Sequence, residues 1–342
     1  MSEPGHDPSR SGATDAQGPD PSAAAGDPRG PGAALAGGAA RLLWLTLAGL
    51  VLARLAMACA DWHWGLELST HFAFQYALMA LVAMAGFACL ARPRGVALAA
   101  VVLALHSSPL LGLTGAPEAP ATGASKGTRL LMANVRTSNA NRRGLVDLVQ
   151  AEQPDAVLLL EVSEAWLADL APLDAEYPHR LAEPRGDNFG IALYSRRPLT
   201  DGQIVHLGDA GVPSIECGLE GASLRLLLTH PVPPMGRRAA AERDRQLEAV
   251  ARRARELGPR VVLAGDLNAT PWSPIFSRVL DLGALRDSRG GLGLQPTWSS
   301  GLPYLARIPI DHFLVGRDVR VLHREVGPRI GSDHLPVLIS LR

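Results

Sequence analysis

The chain has 342 residues, which suits one core of roughly two hundred residues with a smaller part beside it. Its 33 basic and 33 acidic residues cancel, which excludes a strongly basic protein that clamps nucleic acid without sequence preference. Three cysteines, two of them in apolar runs, exclude a disulfide framework or a cysteine zinc cluster in the polar C-terminal region.

The N-terminal third changes abruptly from polar to apolar composition. Residues 1–38 are rich in Gly, Pro, Ala, Ser and Asp without apolar periodicity, which predicts a disordered tail. Residues 39–113 contain three apolar runs at 42–60, 71–91 and 95–113, each about as long as a bilayer-spanning helix. We interpret them as transmembrane helices, because the core helices of a soluble bundle would show a polar face. A cleavable signal peptide is the alternative for the first run, but the long tail and two further runs favour a retained anchor.

The charges around these runs predict an orientation. The tail and the short segment 92–94 carry arginines, whereas residues 61–70 carry neither Lys nor Arg. The positive-inside rule therefore predicts a multi-pass protein of the bacterial inner membrane, with the region after the third run outside the cytoplasm. Arg54, inside the first run, would need to snorkel or to pair with Asp61 or Glu67. Residues 114–127, rich in Pro, Gly and Ala, predict a linker to a domain at 128–342.

From residue 128 onward, short apolar runs alternate with helical patterns. Strands are predicted at "TRLLMAN" (128–134) and "DAVLLLEV" (155–162), and long helical patterns at 141–153 and 238–257. Strands that are apolar on both faces indicate a layered α/β fold with helices outside. The second helical pattern is rich in arginine, but acids interleave with the arginines, as Glu248 and Arg252 do. We therefore interpret it as a solvated helix face rather than a nucleic-acid surface.

Nearly every apolar strand of this region has a polar side chain at one end. These residues are Asn134, Glu161, His230, Asp266, Asn268, Asp311, Asp333 and His334. Each alone has a structural alternative as a cap or turn residue, although Ser273 suits the cap after Asp266 better. In extended geometry Asp266 and Asn268 would face the same side. Together, acids and amides suit a hard cation such as Mg²⁺ or Mn²⁺, with Zn²⁺ second because histidines and cysteines are few.

Seven fragments of the region occur in a family order: "MANV", "LLLEV", "GIALYSR", "LLTHPVPP", "GDLNATPWSP", "IPIDHFLV" and "GSDHLPV". In this the chain resembles the endonuclease/exonuclease/phosphatase superfamily, with its deoxyribonuclease I-like fold, over residues 128–342. The resemblance implies an α/β (α+β) fold, a four-layered α/β sandwich of two packed mixed sheets, here preceded by three transmembrane helices. It also implies a metal site in which Glu161 is the principal ligand, Asn134 lies beside it and Asp333 lies on the metal side, with Mg²⁺ or Mn²⁺ bound.

The same resemblance implies roles for the remaining polar residues. Asp266 would orient or deprotonate the attacking water, and Asn268 would contact the phosphate. His334, held by Asp311, and His230 would bind the scissile phosphate and offset its charge.

The expected function is that of a membrane-anchored, metal-dependent phosphodiester hydrolase, most simply a nuclease acting on nucleic acid. The alternative is a phosphatase or lipid phosphodiesterase, sphingomyelinase-like or inositol-phosphate-like, that acts near the bilayer; a non-catalytic membrane-bound binding module is the third hypothesis. Trp298 and Arg307 are predicted to contact substrate, although Trp298 has a packed core position as its alternative. No protein partner can be inferred from these patterns.

Overall fold

The computed structural model describes Met1 and residues 31–114 and 127–342, so most of the predicted tail and linker lie outside the described residues. Helices α1 (Pro31–Ala58), α3 (Ala73–Cys89) and α4 (Pro93–Ser107) form the N-terminal part, with the short helix α2 (Trp64–Glu67) between the first two. Helix α1 thus already includes residues 31–38, which the composition had assigned to the tail.

The three long helices pack against one another through small and apolar side chains. Leu47, Leu50, Ala80 and Phe87 are buried between them. A Cβ at Gly95 would lie 2.4 Å from the Phe87 ring, so a glycine is needed where α4 meets α3. The segments Ala34–Ala58, Trp64–Cys89 and Pro93–Leu113 are long and apolar enough to cross a membrane. Membrane crossing itself remains a prediction.

Of the two options for Arg54, pairing with Asp61 or Glu67 is not observed, and snorkelling stays a prediction. Asp61 accepts instead from Arg278 (3.4 Å), and Glu67 accepts from Arg243 (3.0 Å), both in the C-terminal region. The acids of the segment that joins α1 to α3 therefore bind the neighbouring domain rather than the helix before them.

Residues 127–342 form two six-stranded mixed sheets. The first sheet has the order β11-β12-β1-β2-β4-β3 and the second the order β5-β6-β7-β8-β10-β9. The strands of the first sheet are β1 (Thr128–Asn134), β2 (Ala156–Leu160), β3 (His179–Glu183), β4 (Ile191–Ser195), β11 (Val321–Val326) and β12 (Val337–Leu341). Those of the second are β5 (Leu199–His206), β6 (Pro213–Leu219), β7 (Leu224–Thr229), β8 (Val261–Asp266), β9 (Leu285–Asp287) and β10 (Asp311–Gly316).

Helices cover the outer face of each sheet, which completes the predicted four layers. Helices α5 (Arg143–Glu152) and α6 (Glu164–Asp169) lie on the first sheet, while α7 (Arg237–Leu257) and α8 (Pro274–Gly283) lie on the second. The central strands are buried on both faces, because one face packs in the core between the sheets and the other under the helices. The predicted fold class is confirmed.

Three local features differ from the sequence expectations. Strands β3 and β9 were not predicted, since β3 is only half-buried and β9 has three residues. Ser273 does begin α8, but its hydroxyl makes no capping bond and donates to the Glu67 carboxylate. A residue of the N-terminal part therefore takes the bond that local capping rules assign to the helix.

Candidate active site

The parallel strand pairs bring the polar residues to one edge of the sandwich. Strand β1 pairs in parallel with β2, and β7 with β8, so the carboxyl ends of each pair lie side by side. Asn134 ends β1, Glu161 follows β2, His230 follows β7 and Asp266 ends β8. Asp311 begins the antiparallel strand β10 directly opposite Asp266. The sheet topology thus places all five residues at the same edge.

Glu161 is held by two hydrogen bonds where the backbone leaves β2 in a left-handed conformation (φ 63°). Its carboxylate accepts from Asn134 Nδ2 (2.9 Å) and from the backbone N–H of Thr137 (3.2 Å). Asn134 Nδ2 also donates to Asp266 Oδ2 (3.2 Å). One amide group therefore positions a carboxylate from each sheet.

Asp266 lies at the centre of the polar cluster and is buried. Its Oδ2 is 3.5 Å from His230 Nε2 and 3.6 Å from His334 Nε2, and its Oδ1 accepts from the backbone N–H of Asn268 (3.0 Å). Burial alone would raise the pKa of Asp266, but the neighbouring imidazoles His334 and His230 outweigh it and hold the pKa well below its usual range. The carboxylate is therefore charged and can accept a hydrogen bond from water.

His334 is fixed by the acid at the start of β10. Its Nδ1 lies 2.9 Å from Asp311 Oδ2, and the backbone N–H of Asp311 donates to the Thr297 hydroxyl (3.3 Å). Burial would lower the pKa of His334, but Asp311 and Asp266 outweigh it and raise the pKa to about 10. At neutral pH the ring is an imidazolium whose Nε2 is directed toward Asp266.

The side-chain chemistry of the cluster distinguishes a position suited to a metal ion from a group of charged side chains that bind one another. Asp266, Asp311 and His334 offer ligand atoms within 4.8 Å of one another, as a metal site would. A protonated His334 has no lone pair to coordinate an ion, so this group fits a hydrogen-bonded ion network better. Glu161, beside Asp266, offers oxygen donors in the pocket, which fit Mg²⁺ or Mn²⁺.

The other two predicted metal ligands have different surroundings. The Asn134 oxygen accepts from the backbone N–H of Arg136 (3.1 Å), while its nitrogen faces Glu161 and Asp266. In this arrangement Asn134 positions the carboxylates. Asp333 lines the pocket and is 37% exposed, with Arg136 Nε 3.9 Å away. Their roles toward a metal stay predictions.

Asn268 lies at the site because of a backbone conformation that strand alternation did not predict. Strand β8 ends at Asp266, and Asn268 has a left-handed backbone (φ 49°), so the extended geometry assumed for this pair is wrong. Its Nδ2 donates to the Pro231 carbonyl (3.0 Å), which ties the loop after β8 to the loop after β7. Asn268 nevertheless lines the same pocket as Asp266.

The polar cluster opens into a pocket of about 740 Å³. Trp298 forms part of its wall and is 37% exposed, so the alternative of a packed core tryptophan is wrong. Arg307 lies outside the pocket wall, and its guanidinium donates to the carbonyls of Leu302 (2.8 Å) and Ser300 (3.2 Å). It therefore braces the loop that carries Trp298.

The pocket also contains residues that sequence reasoning missed. The N-terminal part contributes Trp64, Leu68 and His71, and the loop before β4 contributes Phe189, whose ring lies 5.7 Å from that of His230. Local patterns carried no signal for the first three, because Trp64 and Leu68 belong to a segment read as the connection between two membrane helices and His71 begins the second predicted span.

Comparison with known proteins identifies the class of this chain. The model of the endonuclease/exonuclease/phosphatase family matches residues 133–334, and the chain belongs to this family. Its members are hydrolases that act on phosphate esters. A search of curated proteins finds no match.

Solved structures share the fold at low identity. The protein TDP2 of D. rerio, complexed with a single-strand DNA product, is 20% identical, with a TM-score of 0.51, covering 64% of this chain and 100% of that one. The 3′ phosphatase NExo of Neisseria, bound to a product DNA hairpin, is 19% identical, with a TM-score of 0.53 and coverage of 63% and 99%. An endonuclease/exonuclease/phosphatase of Bacteroides vulgatus is 20% identical, with a TM-score of 0.52 and coverage of 64% and 99%.

Proposed function

We propose that this protein is a divalent-metal-dependent phosphodiester hydrolase held at the bacterial inner membrane by α1, α3 and α4. The observation that carries the hydrolase assignment is the buried cluster in which Asp266 lies within 3.6 Å of both His230 and His334, beside Glu161. Solved structures of the same fold that contain DNA products support nucleic acid as a substrate. The apolar pocket wall favours a lipid phosphodiester as the second candidate.

Each polar residue has a defined task in hydrolysis. Asp266 accepts a hydrogen bond from water and directs its oxygen toward phosphorus; a new P–O bond forms while one ester P–O bond breaks. The electron pair of that bond stays on the leaving oxygen, which over the whole reaction takes up the proton that the attacking water gives up. The imidazolium of His334, oriented by Asp311, offsets negative charge on the nonbridging oxygens, and His230 adds a second donor. Glu161 would hold Mg²⁺ or Mn²⁺, which supplies Lewis-acid polarisation of the phosphate.

Hydrolysis of bis(p-nitrophenyl) phosphate by the full-length chain in lipid nanodiscs tests the proposal. We expect activity with Mg²⁺ or Mn²⁺, none with EDTA, and a loss of a hundredfold or more, that is about 3 kcal/mol, in Glu161→Gln and Asp266→Asn. Glu164→Gln, an exposed glutamate on α6, is the matched control and should retain activity. Full activity in Glu161→Gln and Asp266→Asn would refute the assignment, and inactivity of the wild type would favour the binding module.

Topology is tested separately. The segment between α1 and α3 contacts the catalytic domain, so both lie at the same end of the helices. The arginine distribution supports a location outside the cytoplasm for that end. We expect alkaline phosphatase fused after Arg342 to be active and a fluorescent protein that matures only in the cytoplasm to be dark. The reverse pattern would overturn this orientation.

A further inference from the structure

The exposed apolar side chains of the catalytic domain are confined to two segments. Within the described residues 127–342, these large hydrophobic side chains are Met235, Trp298, Leu302, Tyr304 and Leu305. The first belongs to the loop 231–236 and the others to the loop 298–307. Met235 and Trp298 both line the active-site pocket. A cluster of this kind beside a site, rather than scattered singly over the surface, indicates contact with an apolar partner.

The α1–α3 loop (residues 59–72) is fixed against the catalytic domain by buried polar contacts. Glu67 Oε2 accepts from Arg243 Nη2 (3.0 Å), and both side chains are buried. His71 Nδ1 lies 3.1 Å from the Thr270 hydroxyl, directly after the loop that carries Asn268. Separating a buried ion pair leaves an unpaired charge out of water, which is strongly unfavourable. The loop is therefore held in place as part of the domain surface.

The same loop supplies one apolar wall of the active-site pocket. Trp64 and Leu68 line it together with Pro233, Pro234 and Met235 of the loop after β7. The pocket of about 740 Å³ exceeds the needs of a phosphate group, and its apolar walls continue from the cluster of Asp266 and His334. A ligand that fills this pocket carries both a phosphate and an apolar group.

The charges around the pocket argue against a nucleic-acid backbone in that space. None of the described residues that line it is a lysine or an arginine. The arginines of α7 that pair with acids are Arg238, Arg243, Arg245, Arg252 and Arg253. Proteins that bind nucleic acid draw much of their affinity from cations placed on successive phosphates, and this pocket presents none.

We propose that the pocket binds a lipid phosphodiester, whose phosphate contacts His334 and His230 and whose hydrocarbon chain lies between the α1–α3 loop and residues 231–236. This inference rests on the proposed hydrolase function and selects its substrate class. The source of the lipid is the bilayer around α1, α3 and α4, whose outer faces are apolar and exposed. Water cleaves one P–O ester bond, and the products are a phosphate monoester and an alcohol.

A series of p-nitrophenyl alkyl phosphodiesters, from methyl to octyl, tests the inference with the full-length chain in nanodiscs. The leaving group is the same throughout, so differences in kcat/KM report contacts of the alkyl chain. Burial of each methylene favours binding by up to about fourfold, so we expect kcat/KM to rise steeply with chain length until the pocket is full.

Variants of the pocket wall separate this effect from partition into the bilayer. Trp64→Ala should flatten the rise of kcat/KM with chain length. Trp62→Ala is the matched control, since Trp62 is 81% exposed and lies outside the pocket wall. Met235→Ser, at an 84% exposed position of the loop 231–236 that also lines the pocket, should also flatten the rise and guards against a folding defect in Trp64→Ala.

The outcomes distinguish this inference from the hydrolase function. Equal kcat/KM for all chain lengths, or the same rise in Trp64→Ala and Met235→Ser as in Trp62→Ala, would overturn the lipid inference alone. A thymidine 5′-(p-nitrophenyl) phosphate that is cleaved with a higher kcat/KM than the octyl ester would overturn it in favour of nucleic acid. Failure to cleave even the methyl ester with Mg²⁺ or Mn²⁺ would refute the hydrolase function itself.

Discussion

The ion pair between Glu67 and Arg243 should couple the α1–α3 loop to the active site. Arg243 is 1% exposed and makes three interactions: with Glu67 (3.0 Å), with Asp244 (2.7 Å) and with the carbonyl of Asn268 (2.9 Å). Glu67 also accepts from Ser273. Weakening this ion pair should therefore lower the local stability of the segment 266–273, which carries two of the polar residues of the site.

The free-energy cost of each substitution depends on which partners remain for the group that is left behind. Arg243→Met leaves the buried Glu67 with the Ser273 hydroxyl and with His71, whose Nε2 lies 3.9 Å from Oε1, and breaking a buried pair in this way costs about 3–5 kcal/mol. Glu67→Gln leaves the guanidinium with Asp244 and the Asn268 carbonyl, so the loss is that of one charged hydrogen bond, about 1.5–3 kcal/mol. In the double variant Glu67 is no longer charged and Arg243 is gone, while the loss of the Asp244 contact is common to Arg243→Met and the double variant, so we expect a coupling of about 2 kcal/mol.

Hydrogen exchange of the amides in 266–273 measures this coupling as a free energy of local opening in the full-length chain. The pair Asp61–Arg278 is the matched control, because it joins the same loop to the same domain at 3.4 Å but is 66% and 43% exposed. Its coupling should stay below about 1 kcal/mol. A Glu67–Arg243 coupling no larger than that of the control pair would refute the reasoning.

Two further predictions concern stability. Gly265→Ala should prevent stable folding, since its Cβ would lie 2.0 Å from the Thr229 carbonyl; Gly186→Ala, with nothing within 4 Å, should fold normally, and equal melting temperatures would contradict this. Burial would raise the pKa of Asp287, but Arg289 outweighs it and lowers the pKa well below its usual range. The charged Asp287 thus stabilises the fold fully above about pH 4, and this stabilisation is lost as the pH falls. The free energy of unfolding should therefore fall less steeply below about pH 4 in Asp287→Asn. An unchanged pH dependence of that free energy would exclude this pair as a contributor.

The sequence was most informative where local pattern and chemistry coincide. Glu161 follows five buried apolar residues, and a carboxylate in that position is costly unless it has partners, which it has in Asn134 and Thr137. The long helix α7 was recognisable from its periodicity, and its arginines pair with acids as their interleaving indicated. Strand alternation failed for Asn268, because the left-handed turn after β8 breaks the two-residue repeat.

Long-range contacts were not predictable from one sequence. Glu67 and Arg243 are separated by 176 positions, and each fits a local explanation, as a loop acid and as part of a solvated helix face. Ser273 is a typical helix-capping residue by type and position, but its hydroxyl donates to the Glu67 carboxylate. The α1–α3 loop therefore read as a connection, although it forms part of the pocket wall.

In the membrane arrangement proposed above, the docked loop would also determine how far from the lipid headgroups catalysis takes place. The catalytic domain is attached twice to the N-terminal helices: covalently through residues 114–127, and noncovalently through Glu67 with Arg243 and Gln75 with the carbonyls of Leu305 and Arg307. The second attachment is short and directed, so with the helices in a bilayer it would set the height of Asp266 above the membrane whatever the length of the first. Substrates would then be selected by depth: a phosphate at the level of the pocket could be cleaved, and one far out in solution would first have to approach the membrane.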